Sequence, residues 1–558
     1  MNTTPLALPS RREPDDACFF PESSSQERWI ALALFVGSCL YLRLFYDYSI
    51  LNADEGIVFQ GAQRILQGQV LYRDFFSFFT PGSYYWTALL FRIFGSSILV
   101  GRAMLLIFGS VFAVLSYLLA RRVSSRWAAL LVGYMVTLTC LPFRFVVSHN
   151  WDSTLLAYLA LYCAVRYMER THWAWALGTG SFAALTFLFE HSKGAGLMLG
   201  LLAGFLVIVF RGRFGGLFGA RQAAALAAGL AWPFVATFGY FAAKRSLLEM
   251  LTDWAWPLFH YTVANQLPYG YLVMSASDQA ELLAGSWVSK LIMLIVLGPC
   301  ILLPIVPILA LGILAWFTLK RPQNGVRSQR WAYWVLISAV LCGLLFSALL
   351  TKRPDFTHLN YLAPLFYLVV AWILSGLDLN SRLWASIKPV FVFCVLLSFA
   401  AFGMTMLLLP LGSHHKLKTA RGSVKTHDPF SALEYVQAHV VPGEKILVYP
   451  YQAMYYYLTA TFSATRFDFL QPGMHTADQF QEVIRDLKAH PARVVLLETS
   501  FSEKIPIGWP NTPLEITAAS DPVADYIFAN YRPCAALSEN AFWHFVFMVR
   551  KGEPCPPP

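Results

Sequence analysis

Residues 29–56, WIALALFVGSCLYLRLFYDYSILNADEG, run an apolar stretch (Trp29 to Tyr46) almost directly into an adjacent acid pair, Asp54-Glu55. An apolar run of about 20 residues is long enough to cross hydrocarbon as a helix. Ionisable groups held at membrane depth are functional candidates by default. The stretch therefore reads as a first membrane span followed by an outer loop that carries chemistry.

The rest of the chain has the same character. Of its 558 residues, 57% are hydrophobic and only 13% charged, the composition of a polytopic membrane protein. Further apolar runs lie near 98–120, 127–141, 153–168, 174–190, 195–210, 222–242, 290–318, 331–350, 359–376 and 386–410, so eleven spans are expected in 29–410. Cations cluster at Arg121, Arg122 and Arg126, in 211–221 and in 320–330. With the N-terminus inside, all three clusters are cytoplasmic, as the positive-inside rule requires. The net charge of +10 belongs to these short loops and does not point to nucleic acid. Residues 1–28 are polar, rich in Ser, Pro and acid, and lack a cleavable signal; they are expected to be a disordered cytoplasmic tail. An odd span count puts 411–558 outside.

The first outer loop, 47–97, is expected to hold two helices lying on the membrane. Glu55 to Gln67 forms one, with Ile57, Val58, Ala62, Ile65 and Leu66 apolar and Gln60 and Arg64 opposite, ending at Gly68. Residues 81–94 form the other, with Thr80 as cap, Pro81 at the first position and Gly95 as stop. About 14 residues span roughly 21 Å, too short for roughly 30 Å of hydrocarbon. A second outer segment, 243–289, mixes aromatic and polar residues and suits a partly mobile cover.

From residue 411 helical patterns (Pro429 to Val440, Thr476 to His490, Pro522 to Tyr531) alternate with strand-like runs (Ile446 to Tyr449, Val494 to Leu497, Phe545 to Val549). These predict a small extracytoplasmic α/β domain. It has no Gly-rich nucleotide fingerprint. Six of the nine cysteines lie in apolar runs, and no C-x-x-C supports zinc or redox chemistry. Cys534 and Cys555 lie in the outer region, where a pairing stays open.

The topology pools polar groups at the outer span ends: Asp54, Glu55, His149, Asn150, Asp152, Glu190, His191, Lys193, Lys352, Arg353, Asp355 and His358. A base plus an anion clamp is what glycosyl transfer from a lipid phosphate requires. The acceptor hydroxyl loses a proton, and cations hold the leaving phosphate. Plainer roles stand beside these. Asp54 and Glu55 suit a helix start, and Asp152 suits a cap for the helix at 153–168. Thr351 to Leu359 fits a solvated loop with Asp355 as cap, although Lys352-Arg353 opposes the positive-inside trend. Glu190 to Lys193 fits an internally paired loop, and Arg92 and Arg102 suit snorkelling to headgroups. Asp54, His149 and Asp152 would accept a hard cation if they met, so a divalent metal stays open.

LNADEG at 51–56, GAQRILQGQVLYRDF at 61–75 and FTPGSYYW at 79–86 resemble the first outer loop of GT-C fold glycosyltransferases, nearest the dolichyl-phosphate-mannose protein mannosyltransferases and the lipid A aminoarabinose transferases. RPDFTHL at 353–359 and TRFDFLQPG at 465–473 also occur in such relatives. The resemblance implies Asp54 as base with Glu55 beside it and Asp152 as the acid of a second loop. It places Lys352, Arg353 and His358 near the donor phosphate; His191 and Lys193 are further substrate-binding candidates from the pooled residues themselves. It further implies a polyprenyl-phosphate sugar donor, an extracytoplasmic acceptor, transfer with inversion and an inner-membrane location. The C-terminal region does not resemble the sugar-binding repeats of eukaryotic protein mannosyltransferases, which weakens protein as acceptor. The alternative, a transporter or flippase of lipid-linked saccharides, would show paired halves and midplane charges. Neither is present in the sequence.

Overall fold

A computed structural model of the chain describes residues 25–212, 219–260, 265–272, 280, 284–319, 326–375, 382–471, 473–512, 521–539 and 543–557. The expected tail, 1–28, lies outside them up to residue 24, as do parts of the 211–221 and 320–330 loops and of 261–283.

The protein is a polytopic α-helical membrane protein with a C-terminal α/β domain. Its helices begin with α1 (Ser25–Leu42), α2 (Ala53–Leu66), α3 (Gly82–Phe94), α4 (Ile98–Ala120), α5 (Arg126–Phe143) and α6 (His149–Arg170). There follow α7 (Trp173–Phe189), α8 (His191–Gly212), α9 (Ala220–Ala243), α10 (Leu247–His260), α11 (Trp287–Val296) and α12 (Gly298–Leu319). The bundle closes with α13 (Val326–Leu350), α14 (Phe356–Phe366), α15 (Leu368–Ser375) and α16 (Arg382–Leu411). Among the described residues eight helices are long and apolar enough to cross a membrane. The pair α14–α15, bent by 54°, makes a ninth. Pro364 lies at this bend; it has no N–H for the carbonyl four residues back.

All eleven expected spans are helical, but two do not meet that standard. The first two turns of α6 carry Asn150, Asp152, Ser153 and Thr154, and α7 has only 17 residues. Both are packed inside the bundle, α7 between α6 and α9. The expected single span at 290–318 is corrected: it breaks at Leu297 into α11 and α12, and Pro299 in the first turn of α12 has no N–H to continue the previous helix. Packing is closest between α8 and α13. A Cβ on Gly196 would lie 2.3 Å from the Gly343 carbonyl oxygen, and one on Gly343 would lie 2.1 Å from that of Gly196. Small residues at this spacing let membrane helices approach backbone to backbone.

Ion pairs mark the two ends of the bundle. At one end Glu27 of α1 meets Arg121 (3.3 Å) and Arg126 (2.9 Å), and Glu169 meets Arg122 (2.7 Å). At the other lie Asp54, Arg144, Glu190, Lys193 and His358. The pooling of outer groups drawn from the sequence thus corresponds to one end of the molecule.

The two loop helices form as expected, with corrections at their starts. Asn52 caps α2, its side chain accepting from the Asp54 N–H at 2.9 Å, so neither acid is the cap. In α3 the N-cap is Pro81, without a side-chain bond, and Thr80 does not cap. Gly95 (φ 88°) ends α3 as read. The polar face expected on α2 does not meet water: Gln60 and Arg64 are buried against the C-terminal domain. Arg64 pairs with Asp468 at 2.8 Å. Gly56 explains the tight docking, since a Cβ there would sit 2.2 Å from the Met454 backbone nitrogen.

The C-terminal domain opens with a hairpin, β1 (His415–Thr419) and β2 (Gly422–Thr426), followed by α17 (Ser431–His439). Lys425 of the hairpin bonds backbone to backbone with Asp47 and Ser49, just before the acid pair. A five-stranded sheet comprises β3 (Lys445–Tyr449), β4 (Phe462–Ser463), β5 (Val494–Glu498), β6 (Tyr531–Ser538) and β7 (His544–Arg550), in the order β4-β3-β5-β7-β6. Strands β4, β3 and β5 are mutually parallel; β7 and β6 are antiparallel additions. Helices α18 (Met454–Leu458), α19 (Ala477–Ala489), α20 (Phe501–Gly508) and α21 (Pro522–Asn530) connect them. Cys534 and Cys555 form a disulfide.

Candidate active site

Asp54 sits in the first turn of α2, where the dipole favours negative charge. Its side chain is 43% exposed. Arg144, in the turn between α5 and α6, donates to Oδ2 at 3.0 Å. The Tyr451 hydroxyl donates to Oδ1 at 3.1 Å from the C-terminal domain. Burial, and then the Asp54 charge, push the Tyr451 phenol well above its usual range, so it stays a donor. Each carboxylate oxygen has two lone-pair sites, so both can still accept an incoming hydroxyl. Arg144 is fixed in turn by the Tyr361 hydroxyl, 3.2 Å from Nε.

Glu55 points the other way, as successive helical residues must. It is fully buried, with Arg102 at 2.6 Å from Oε2 and the Val147 N–H at 2.9 Å from Oε1. Arg102 also donates to Ser49 (3.1 Å) and to the Phe145 carbonyl, so it does not snorkel. Burial pushes the Glu55 carboxyl up, and Arg102 and Val147 oppose the shift. Since the guanidinium keeps its charge, the pocket is built for a carboxylate. Glu55 thus braces the 145–147 segment that follows Arg144 and does not reach the open site.

Asp152 is also turned inward. Ser148 caps α6, so Asp152 is not the cap; its Oδ2 accepts from Ser83 of α3 at 2.6 Å. Lys193 is buried among the Asn150 carbonyl (2.9 Å), Ser153 (2.8 Å), Thr154 (3.1 Å) and Glu190 (2.8 Å). An ammonium has three donors, so Lys193 is spent tying α8 to α6 and is not a free phosphate ligand. This is the internally paired arrangement. His191 opens α8 and lies edge-on to Phe187. Asp54, Asp152 and His149 do not converge: among the described residues no three acids, histidines or cysteines are placed to hold a metal.

At the start of α14, Asp355 is the N-cap, accepting from the Thr357 and His358 N–H groups. Its Oδ2 also meets His358 Nδ1 at 2.7 Å and Arg353 Nε at 3.4 Å. Burial would raise this carboxyl, but His358 and Arg353 outweigh it and hold it at about 2. Arg353 is half-buried, and its charge opposes the rise that burial causes in the Tyr451 phenol. Lys352 is exposed, with a left-handed backbone (φ 58°). His149 packs against Phe79 with tilted rings, centroids 4.4 Å apart.

Arg144, Tyr361 and Tyr451 escaped the sequence reading. Arg144 carried a usable signal, since it is a cation in an outer loop, the same anomaly as Lys352-Arg353. Tyr451 had none, because its place beside Asp54 depends on how a separate domain docks.

Residues 80–241 match the family model described as dolichyl-phosphate-mannose-protein mannosyltransferase. The match runs from the turn before α3 to α9 and includes Arg144, Asp152, Glu190 and Lys193. No curated protein matches the chain. Among solved structures it is similar to the oligosaccharyltransferase of Archaeoglobus fulgidus in complex with Zn and sulfate, at 12% identity and TM-score 0.49, over 92% of this chain and 72% of that one. It is also similar to ArnT from Cupriavidus metallidurans in the apo state, at 11% identity and TM-score 0.49, over 94% and 98%. ArnT bound to undecaprenyl phosphate gives 13% identity and TM-score 0.44, over 96% and 99%.

Proposed function

We propose that this chain, whose residues 80–241 are mannosyltransferase-family sequence, is an integral-membrane glycosyltransferase of the GT-C type. It moves a sugar from a polyprenyl-phosphate donor to an extracytoplasmic acceptor with inversion. The observation that carries the reading is Asp54: an accessible carboxylate at one end of a membrane bundle, oriented by Arg144 and Tyr451. The acceptor hydroxyl gives its proton to Asp54 as its oxygen attacks the anomeric carbon. The bond from that carbon to the phosphate oxygen breaks, and the lipid phosphate leaves with the electron pair. Arg353 and Lys352, at the start of α14, supply positive charge for it, with the His358 ring on the first turn beside them. Glu55 and Asp152 act as positioning residues, one holding the 145–147 segment and the other joining α3 to α6. The N-terminus is cytoplasmic, and the C-terminal domain covers the periplasmic face of the inner membrane.

The test incubates purified protein with a panel of polyprenyl-phosphate sugars and follows free lipid phosphate. The configuration at the transferred anomeric carbon is read by NMR. Release from one donor class, with inversion, is expected. Retention of configuration would remove Asp54 as a simple base.

A further inference from the structure

We infer that the C-terminal domain holds the acceptor, and that the acceptor is a saccharide ring seated against Tyr451 and Trp509. The inference rests on the glycosyltransferase reading and names its acceptor class. In open α/β sheets, ligands bind in the crevice outside the carboxyl ends of parallel strands, where the strand order reverses. Here the chain runs from β3 to β4 on one side and then crosses to β5 on the other. The crevice so defined lies beyond the ends of β3 and β5. Tyr451 follows β3 by two residues, and Phe501 to Trp509 follow β5.

Those two segments meet. The Tyr451 ring lies 5.9 Å from Phe501 and 5.8 Å from Trp509, and Phe501 and Trp509 are 5.7 Å apart. The loop after β4 adds Phe469, 5.8 Å from Tyr451. Phe501 and Phe469 are buried backing, while Tyr451 and Trp509 keep part of their surface open. The wall is tied to the base by the Tyr451–Asp54 hydrogen bond. A packed aromatic cluster whose Tyr451 and Trp509 stay partly open, with the Asp54 carboxylate hydrogen-bonded at its edge, suits a ring with an apolar C–H face and hydroxyls at its rim. The domain has no phosphate-binding Gly-rich loop for a nucleotide.

The test uses the full chain in a sugar-free detergent, as wild type, Trp509→Ala, Trp509→Phe and Asp54→Asn. Saturation-transfer NMR with methyl glycosides of hexopyranose disaccharides reports ring contact without turnover. Wild type and Asp54→Asn are expected to bind. Trp509→Ala should weaken binding about tenfold, the scale of one aromatic contact, and Trp509→Phe should keep most of it. With an active donor, the acceptor KM should rise more than kcat falls in Trp509→Ala. Absence of glycoside binding, or equal binding by wild type and Trp509→Ala, overturns the proposal. So does a seryl peptide that accepts sugar where glycosides do not, although transfer itself would then stand. Glycoside binding without turnover of any donor would keep the crevice and remove the transferase reading. Trp509→Phe and Trp509→Gln keep the comparison open should Trp509→Ala fail to fold.

Discussion

Replacing Arg102 with Met should damage this protein more than any loss of contact area explains. Arg102 and Glu55 are 1% and 0% exposed at the side chain and 2.6 Å apart. Met approximates the aliphatic volume of Arg, so packing survives. What remains is a fully buried carboxylate without its cation, held by one backbone N–H. Breaking a buried pair from one side costs about 3–5 kcal/mol, whereas replacing both partners with apolar residues is close to neutral. Arg102→Met alone should therefore destabilise by about 3–5 kcal/mol. Glu55→Gln in the Arg102→Met background should recover most of the loss, because a neutral amide no longer needs a counter-charge. A double-mutant cycle by denaturant unfolding of the detergent-solubilised protein measures both numbers. Additive effects, with no recovery in the double variant, would refute the claim that the two residues form one enclosed ion pair. The single variant should also lower kcat, since the 145–147 segment that Glu55 and Arg102 hold follows Arg144 directly.

Other outcomes follow from the same geometry. Gly56→Ala forces a Cβ to within 2.2 Å of the Met454 nitrogen. It should cost about 1–3 kcal/mol and pull Tyr451 away from Asp54, read as faster proteolysis between the two domains. Tyr451→Phe removes one hydrogen bond to a charged group and should lower kcat about tenfold with donor binding retained, measured by single-turnover kinetics. Burial lowers His475 from 6.5 to about 4. The unfolded chain therefore binds a proton between those values that the native state refuses. Stability is complete above about pH 6.5 and falls as pH drops toward 4; His475→Phe should flatten that part of an unfolding-versus-pH curve.

Much of this architecture was legible because membrane physics writes it in long, one-dimensional signals. Apolar runs of span length and cation-rich loops located the bundle, and Gly68 and Gly95 marked the ends of the two loop helices. The strands at 445–449 and 494–498 showed as short β-branched runs. The β1–β2 hairpin and β6 did not, because HKLKT and YRPCAALS are polar or carry proline on an edge, where pairing overrides propensity. The placing of Asp54 at one end of the bundle was legible from its position after the first span. The direction in which each polar group points was not. Lys193 and Asp152 looked like ligands in sequence, but three-dimensional packing gives each a partner on another helix. The burial of Gln60 and Arg64 was hidden for the same reason: an amphipathic helix shows its polar face in sequence, not whether water or a docked domain meets it.

In the proposed reaction Asp54 accepts the acceptor's proton. The most direct measurement compares wild type and Asp54→Asn for lipid-phosphate release from the active donor, with donor affinity and thermal unfolding measured on the same preparations. A general base contributes about 10²–10⁴-fold, so Asp54→Asn should lose activity on that scale while folding and binding donor as wild type does. Release within threefold of wild type would rule out Asp54 as the base.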